Sequence, residues 1–149
     1  MSIVSDIEKL KKEKNAVILA HYYVDEDVQD VADYIGDSFY LSKVATKVSQ
    51  DRIIFAGVEF MGESAKILNP KKRVFMPDMN ADCPMAHMAD KDEILALREK
   101  YDDLAVVCYI NSTAELKKYS DVCVTSSNAV KIVKNLPNKN IFFIPDRNL

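Results

Sequence analysis

Apolar residues recur along this chain in two periods. In residues 3–14, Ile3, Ile7 and Leu10 share one helical face and the lysines lie opposite, which predicts a helix. AVILA (16–20) is a short continuous apolar run, the pattern of a strand buried on both faces. Over 25–35, Val28, Val31, Ala32 and Ile35 return to helical spacing and predict a second helix. A third follows Ser38 through Leu41, Val44, Ala45 and Val48. RIIFAG (52–57) reads as a buried strand, 63–68 as a short helix stopped by Asn69-Pro70, and RVFMP (73–77) as another strand. Pro84 suits the first turn of a long helix over about 84–100, with Cys83 at its N-cap.

The pattern then restarts. Strands are predicted at 104–110, 121–125 and 141–145, with helices at 114–119 and 128–135. Strands alternating with helices imply an α/β fold with parallel sheets. Sliding the chain against itself by 88 residues lays AVILA on LAVVC, His21 on Tyr109, Tyr23 on Asn111, Asp33 on Asp121, Ser38 on Ser126 and Ile53 on Ile141. Identities are few, but strand, turn, serine and helix positions agree, as in an internal repeat. The same offset puts the counterpart of Cys83 at about position 171. The chain therefore reads as one whole repeat, 1–84, followed by a linking helix and an incomplete second repeat, 85–149.

Composition narrows the chemistry. The 149 residues are 48% hydrophobic and 29% charged, a balance for burying a core without disulfides. No apolar run spans a membrane, and the charged, amphipathic N-terminus is no signal peptide. A net charge of −3 gives no support to nucleic-acid binding. Gly36, Gly57 and Gly62 are too few and too scattered for a glycine-rich phosphate loop. An odd cysteine count, Cys83, Cys108 and Cys123, argues for a reducing cytoplasm rather than a disulfide framework.

Ligands of open α/β sheets bind beyond the C-terminal strand ends. His21 and Tyr23 follow the first strand, and Tyr109 and Asn111 follow its counterpart. Ser38 and Ser126, each 17 residues further on, precede predicted helices. They could simply cap those helices, or with the free N–H groups of the first turn hold a carboxylate or phosphate. His21 suits a donor to an anion or an acid/base group, and equally a satisfied strand-end histidine. A thiol at a helix N-terminus, like Cys83, favours thiolate and metal ligation. Met79, Met85 and Met88 around it suggest an apolar shell or ordinary packing. Cys108 and Cys123 sit inside apolar strands and read as small hydrophobes, so one metal ligand is expected, not three. His87 reads as solvated or packed, and the acidic run at Asp25, Glu26, Asp27 and Asp30 as a solvated helix start. Glu59 and Glu63 are weaker candidates for the crevice.

The segments ILAHYYVDEDVQDVADYIGDS, FAGVEFMGESAKILNP, MPDMNADCPMA, CYINSTAELK and VTSSNA, in this order, resemble the quinolinate synthase family. The resemblance implies three-layer αβα repeat domains with parallel sheets, a pseudo-threefold array cut here after about one and a half copies. It implies condensation of iminosuccinate with dihydroxyacetone phosphate to quinolinate in NAD biosynthesis. A 4Fe-4S cluster held by one cysteine per domain would leave one iron open as a Lewis acid. By resemblance Cys83 is the first cluster ligand, and His21 and Ser38 bind substrate carboxylates. Tyr109, Ile110, Asn111 and Ser126 make the matching contacts from the second domain, and Tyr23 and His21 move protons. The implied partners are the two substrates and the L-aspartate oxidase that supplies iminosuccinate. The implied location is cytoplasmic.

The family chain is about twice this length, as three copies of an 88-residue unit suggest. Four-iron clusters need several thiolates, so a cluster on Cys83 alone is not expected to persist and this chain alone is expected to be inactive. The incomplete second copy is expected to expose apolar sheet surface and self-associate. The competing reading is a free-standing flavodoxin- or receiver-like anion-binding module, with Asp78 in PDMN as phospho-acceptor and a single five-stranded sheet.

Overall fold

The computed structural model describes residues 2–146. The chain divides into two compact units, 1–82 and 83–149, each built on its own parallel sheet. A single five-stranded sheet is not what forms, and this overturns the receiver-like reading.

The first unit runs α1 (Ile3–Glu13), β1 (Ala16–His21), α2 (Glu26–Gln29), β2 (Tyr34–Gly36), α3 (Ser38–Lys47), β3 (Arg52–Ala56), α4 (Glu59–Leu68) and β4 (Arg73–Phe75). Its strands lie in the order β2-β1-β3-β4, all parallel. The central strands bury Val17, Leu19, Ile53 and Phe55, which explains their unbroken apolar runs. With right-handed crossovers α2 covers one face, and α3 and α4, which pack on each other, cover the other.

The second unit runs through a 3₁₀ turn (Pro84–His87), α5 (Lys91–Lys100), β5 (Leu104–Tyr109), α6 (Ala114–Lys118), β6 (Val122–Val124), α7 (Ala129–Asn135) and β7 (Asn140–Ile144). The strand order is β6-β5-β7. Leu104, Val106 and Cys108 face α5 and α6 through Ile94 and Leu116, whereas Val107 faces Ala129, Ile132 and Val133 of α7. The sheet is thus sandwiched between helices, an αβα layering.

The offset of 88 recurs in the registers. Leu19 pairs with Tyr34 as Val107 pairs with Val122, and Val17 with Ile53 as Ala105 with Ile141. One anchor repeats in both units. Ile18 N–H donates to Asp33 Oδ2 (2.8 Å) while Asp33 N–H donates to the Ile18 carbonyl (2.9 Å). Val106 and Asp121 make the same pair at 2.7 and 2.9 Å. Lys11 of α1 bridges Asp33 and the Val31 carbonyl, and Arg98 of α5 bridges Asp121 and the Tyr119 carbonyl.

Four expectations change. The helix expected over 25–35 is one turn followed by β2, because Asp33 turns the chain into register with β1. The helix expected over 84–100 is broken, because Asp90 accepts the Asp92 N–H and starts a new helix. That helix, α5, is the counterpart of α1 rather than a linker. The helix expected over 63–68 starts at Glu59, directly after β3.

Candidate functional site

Strand order 2-1-3-4 reverses direction between β1 and β3, so their C-terminal ends open the crevice where α/β sheets bind ligands. His21 is the last residue of β1 and stands in register with Gly36. Its Cβ lies 3.5 Å from the position a Cβ on Gly57 would take, an ordinary van der Waals distance across the ends of β1 and β3.

His21 is only 8% exposed. Burial lowers its pKa from the ordinary 6.5, and the Asp37 carboxylate opposes that drop. Nδ1 accepts the Tyr23 N–H at 3.3 Å, which assigns the proton of the neutral ring to Nε2. The residue is therefore a neutral donor, able to give a hydrogen bond to an anionic oxygen without carrying charge.

Three rings cluster here. Tyr22 stacks on His21 (centroids 4.5 Å, 25°), and Tyr23 meets His21 (4.8 Å, 61°) and Tyr22 (4.5 Å, 71°) edge-on. Tyr23 is 81% exposed, an unusual cost for an aromatic ring in water. The Tyr22 phenol is raised, first by its hydrogen bond with Tyr23 and then by the Tyr23 charge. The turn is pinned by Gln29, whose amide donates to the Val24 carbonyl (2.8 Å) and the Tyr22 carbonyl (3.3 Å).

Ser38 lies two residues beyond Gly36 at the same sheet end, but it is not the cap. Asp37 is the N-cap, accepting the Tyr40 N–H at 2.7 Å, and Ser38 is the first helical residue. The Ser38 carbonyl accepts the Ser42 hydroxyl at 2.7 Å.

The second unit repeats this sheet end with different chemistry. Tyr109 ends β5, and Ile110 N–H donates to the Val124 carbonyl (2.8 Å) as Tyr22 N–H does to Gly36 (3.2 Å). The Asn111 amide donates to the Tyr109 hydroxyl at 3.4 Å. Ser126 is exposed in a turn three residues ahead of α7, whose N-cap position is Asn128. The expected capping role therefore fails for both serines. The helix starts later here because the Asn128 side chain accepts the Thr125 N–H at 2.7 Å and closes the turn first.

Cys83 opens the second unit in an extended conformation, half-buried, ahead of Pro84. The element it precedes is a single 3₁₀ turn, too short to supply the helix field expected for it. Met79 and Met88 are exposed, so a closed apolar shell does not form. Cys108 is buried as expected, but Cys123 is exposed. His87 and the acidic run at Asp25, Glu26 and Asp27 are exposed. Glu63 lies in a recess with Lys66 and Arg73, beside the edge strand β4. Among the described residues, no group of three or more His, Cys, Asp or Glu side chains is gathered as a metal site, and no helix is long and apolar enough to cross a membrane.

Tyr22, Gln29 and Asp33 were not candidates in the sequence, whereas Asp37 was one only together with Ser38, as the polar pair before a predicted helix. Asp33 carried a signal, its identity with Asp121 at the repeat offset. Asp37 carried another, as a capping type just before a helical period.

The model of the quinolinate synthetase A protein family matches residues 5–149. The chain is 68% identical over 143 residues to the quinolinate synthase of Fusobacterium nucleatum, covering 96% of this chain and 48% of that protein. It is 56% identical over 149 residues to that of Clostridium perfringens, covering 100% and 50%. It is 54% identical over 147 residues to that of Caldicellulosiruptor saccharolyticus, covering 99% and 48%. The chain spans about half the length of these curated relatives. It belongs to the quinolinate synthetase A family.

Proposed function

We propose, from that membership, that this chain carries binding and proton-transfer residues of a quinolinate synthase. That enzyme joins iminosuccinate to dihydroxyacetone phosphate to give quinolinate for NAD. The observation supporting it most directly is His21: a buried, neutral donor at the switch point of the sheet, stacked on Tyr22 and met edge-on by Tyr23. Its Nε2–H suits a substrate carboxylate, and Tyr23, touching it and open to solvent, is of the right type to pass a proton. Ser38 lies in the first turn of α3 at the same sheet end, where backbone N–H groups favour anionic oxygens. Tyr109, Ile110, Asn111 and Ser126 are the corresponding substrate contacts of the second repeat, and Cys83 is a cluster ligand. A cytoplasmic setting and an L-aspartate oxidase supplying iminosuccinate complete the reading.

The donor set fits part of a 4Fe-4S cluster only. Cys83 offers one half-buried cysteine sulfur, whereas such clusters take several cysteine ligands. The second reading is therefore that the 149-residue chain by itself does not turn over. The two parts are tested separately. NMR titration of the chain with quinolinate, the dicarboxylate product, should move the resonances of His21, Tyr23 and Ser38, and His21→Ala should remove the effect. Unmoved resonances at the strand ends would overturn the binding role. Anaerobic treatment with iron and sulfide should yield no quinolinate, and turnover would overturn the inactivity.

A further inference from the structure

Cys108 and Cys123 lie directly opposite each other on β5 and β6. Register partners in a parallel pair point to the same face of the sheet. Their strands run about 4.8 Å apart, within the Cα separation a disulfide spans. The two side chains are close enough to share a hydrogen bond. Cys108 is fully buried under α6, and Cys123 is exposed.

The surroundings suit a thiolate. The buried Ser112 hydroxyl is 2.9 Å from the Cys108 sulfur. The Cys108 thiol is pushed down to about 6, first by the hydrogen bond with Cys123, against burial, and further by Ser112, Ser120 and the Lys117 charge. Cys123 is pushed up by the same hydrogen bond, by burial and by the Cys108 charge. The pair thus shares one proton and loses its first proton easily.

We propose that Cys108 and Cys123 are a redox-active dithiol that closes to an intramolecular disulfide by exchange with low-molecular-weight disulfides. The exposed Cys123 sulfur, when it holds the shared charge, attacks a disulfide RSSR. A Cys123–SR bond forms, the RS–SR bond breaks, and the leaving RS⁻ takes the proton then held by Cys108. Cys108 thiolate then attacks the Cys123 sulfur, the Cys108–Cys123 bond forms, and a second RS⁻ leaves and takes a proton from water. The two cysteines are oxidised by two electrons and RSSR is reduced to two RSH. The bond would tie β5 to β6 one residue before Tyr109 and three before Ser126.

The test uses the reduced 149-residue chain in a glutathione redox buffer, followed by alkylation and peptide mass mapping. Folded chain should give the Cys108–Cys123 linkage in at least about tenfold excess over any linkage through Cys83, and that excess should vanish in denaturant. Cys83→Ser should leave the linkage unchanged. Equal linkage ratios in folded and denatured chain would overturn the proposal. So would a mixed disulfide that persists on Cys123 while Cys108 remains alkylatable. Both readouts are made on the unsubstituted chain, so they do not depend on a variant folding.

Discussion

At the residue scale, two side chains decide more than their neighbours. Asp33 accepts the N–H of Ile18 in the buried central strand and holds Lys11, so it joins three elements through one carboxylate. Asp33→Ala would strand that N–H, and its removal should destabilise the chain by about 1–3 kcal/mol. Urea midpoints check this, and Asp121→Ala should behave alike in the second unit, since its carboxylate does the same work for Val106. A midpoint unmoved by either change would mean water replaces the carboxylate without cost. His21 sets a pH dependence. Its folded pKa lies below 6.5 because burial disfavours the cation. Between the lowered and the ordinary value the unfolded chain binds a proton that the folded chain refuses. Stability contributed here is therefore complete above about pH 6.5 and falls as pH drops through that window, then levels off. Thermal midpoints should show that slope in the original chain and less of it in His21→Gln, with His87 common to both. An identical slope in the two would place the titration elsewhere.

At the scale of elements, the strands were the most legible parts of the sequence, for a physical reason. β1, β3 and β5 are central and covered on both faces, so their apolar runs have no other explanation at that length. β2 was hidden because it is a three-residue edge strand with Tyr34 and Ile35 exposed, and Val28, Val31, Ala32 and Ile35 share helical spacing by coincidence. The 88-residue offset contained the answer, since 34–36 fall on 122–124, a stretch that reads plainly as a strand. The broken helix at 88–90 was legible too, in the capping type Asp90. The shared thiol proton was not, since cross-strand register between β5 and β6 is invisible without the fold. The sheets also differ at their edges. In the first unit β4 pairs with β3, whereas in the second no strand among the described residues pairs with the outer edge of β7. An open edge of this kind is a template for another chain. Sedimentation velocity across the micromolar range should show mass rising with concentration, and a constant monomer mass would argue against edge pairing.

At the scale of the whole molecule, the same unit is built twice with different groups at the C-terminal ends of its strands. His21 and Tyr23 stand where Tyr109 and Asn111 stand in the second copy, while the aspartate anchors and strand registers are kept. Scaffold and chemistry are thus separable, as expected when strand ends carry function and strand interiors carry stability. The division into units has its own consequence. The passage from β4 to the 3₁₀ turn, 76–83, contains the exposed Asp78, Met79 and Asp82 and no helix or strand. It is held by the Ala81 carbonyl accepting the Glu59 N–H (2.8 Å) and by Asp78 accepting the Asn80 N–H (2.8 Å). Loops give up the extended backbone a protease needs far more readily than paired strands do. A protease cutting ahead of aspartates should therefore cleave first before Asp78 or Asp82. Asp33 and Asp121 should be cut last, since each is tied to a central strand by paired hydrogen bonds. Mass spectrometry of a time course checks the order. Early fragments beginning at Asp33 or Asp121 would mean that the anchors open more easily than the passage between the units.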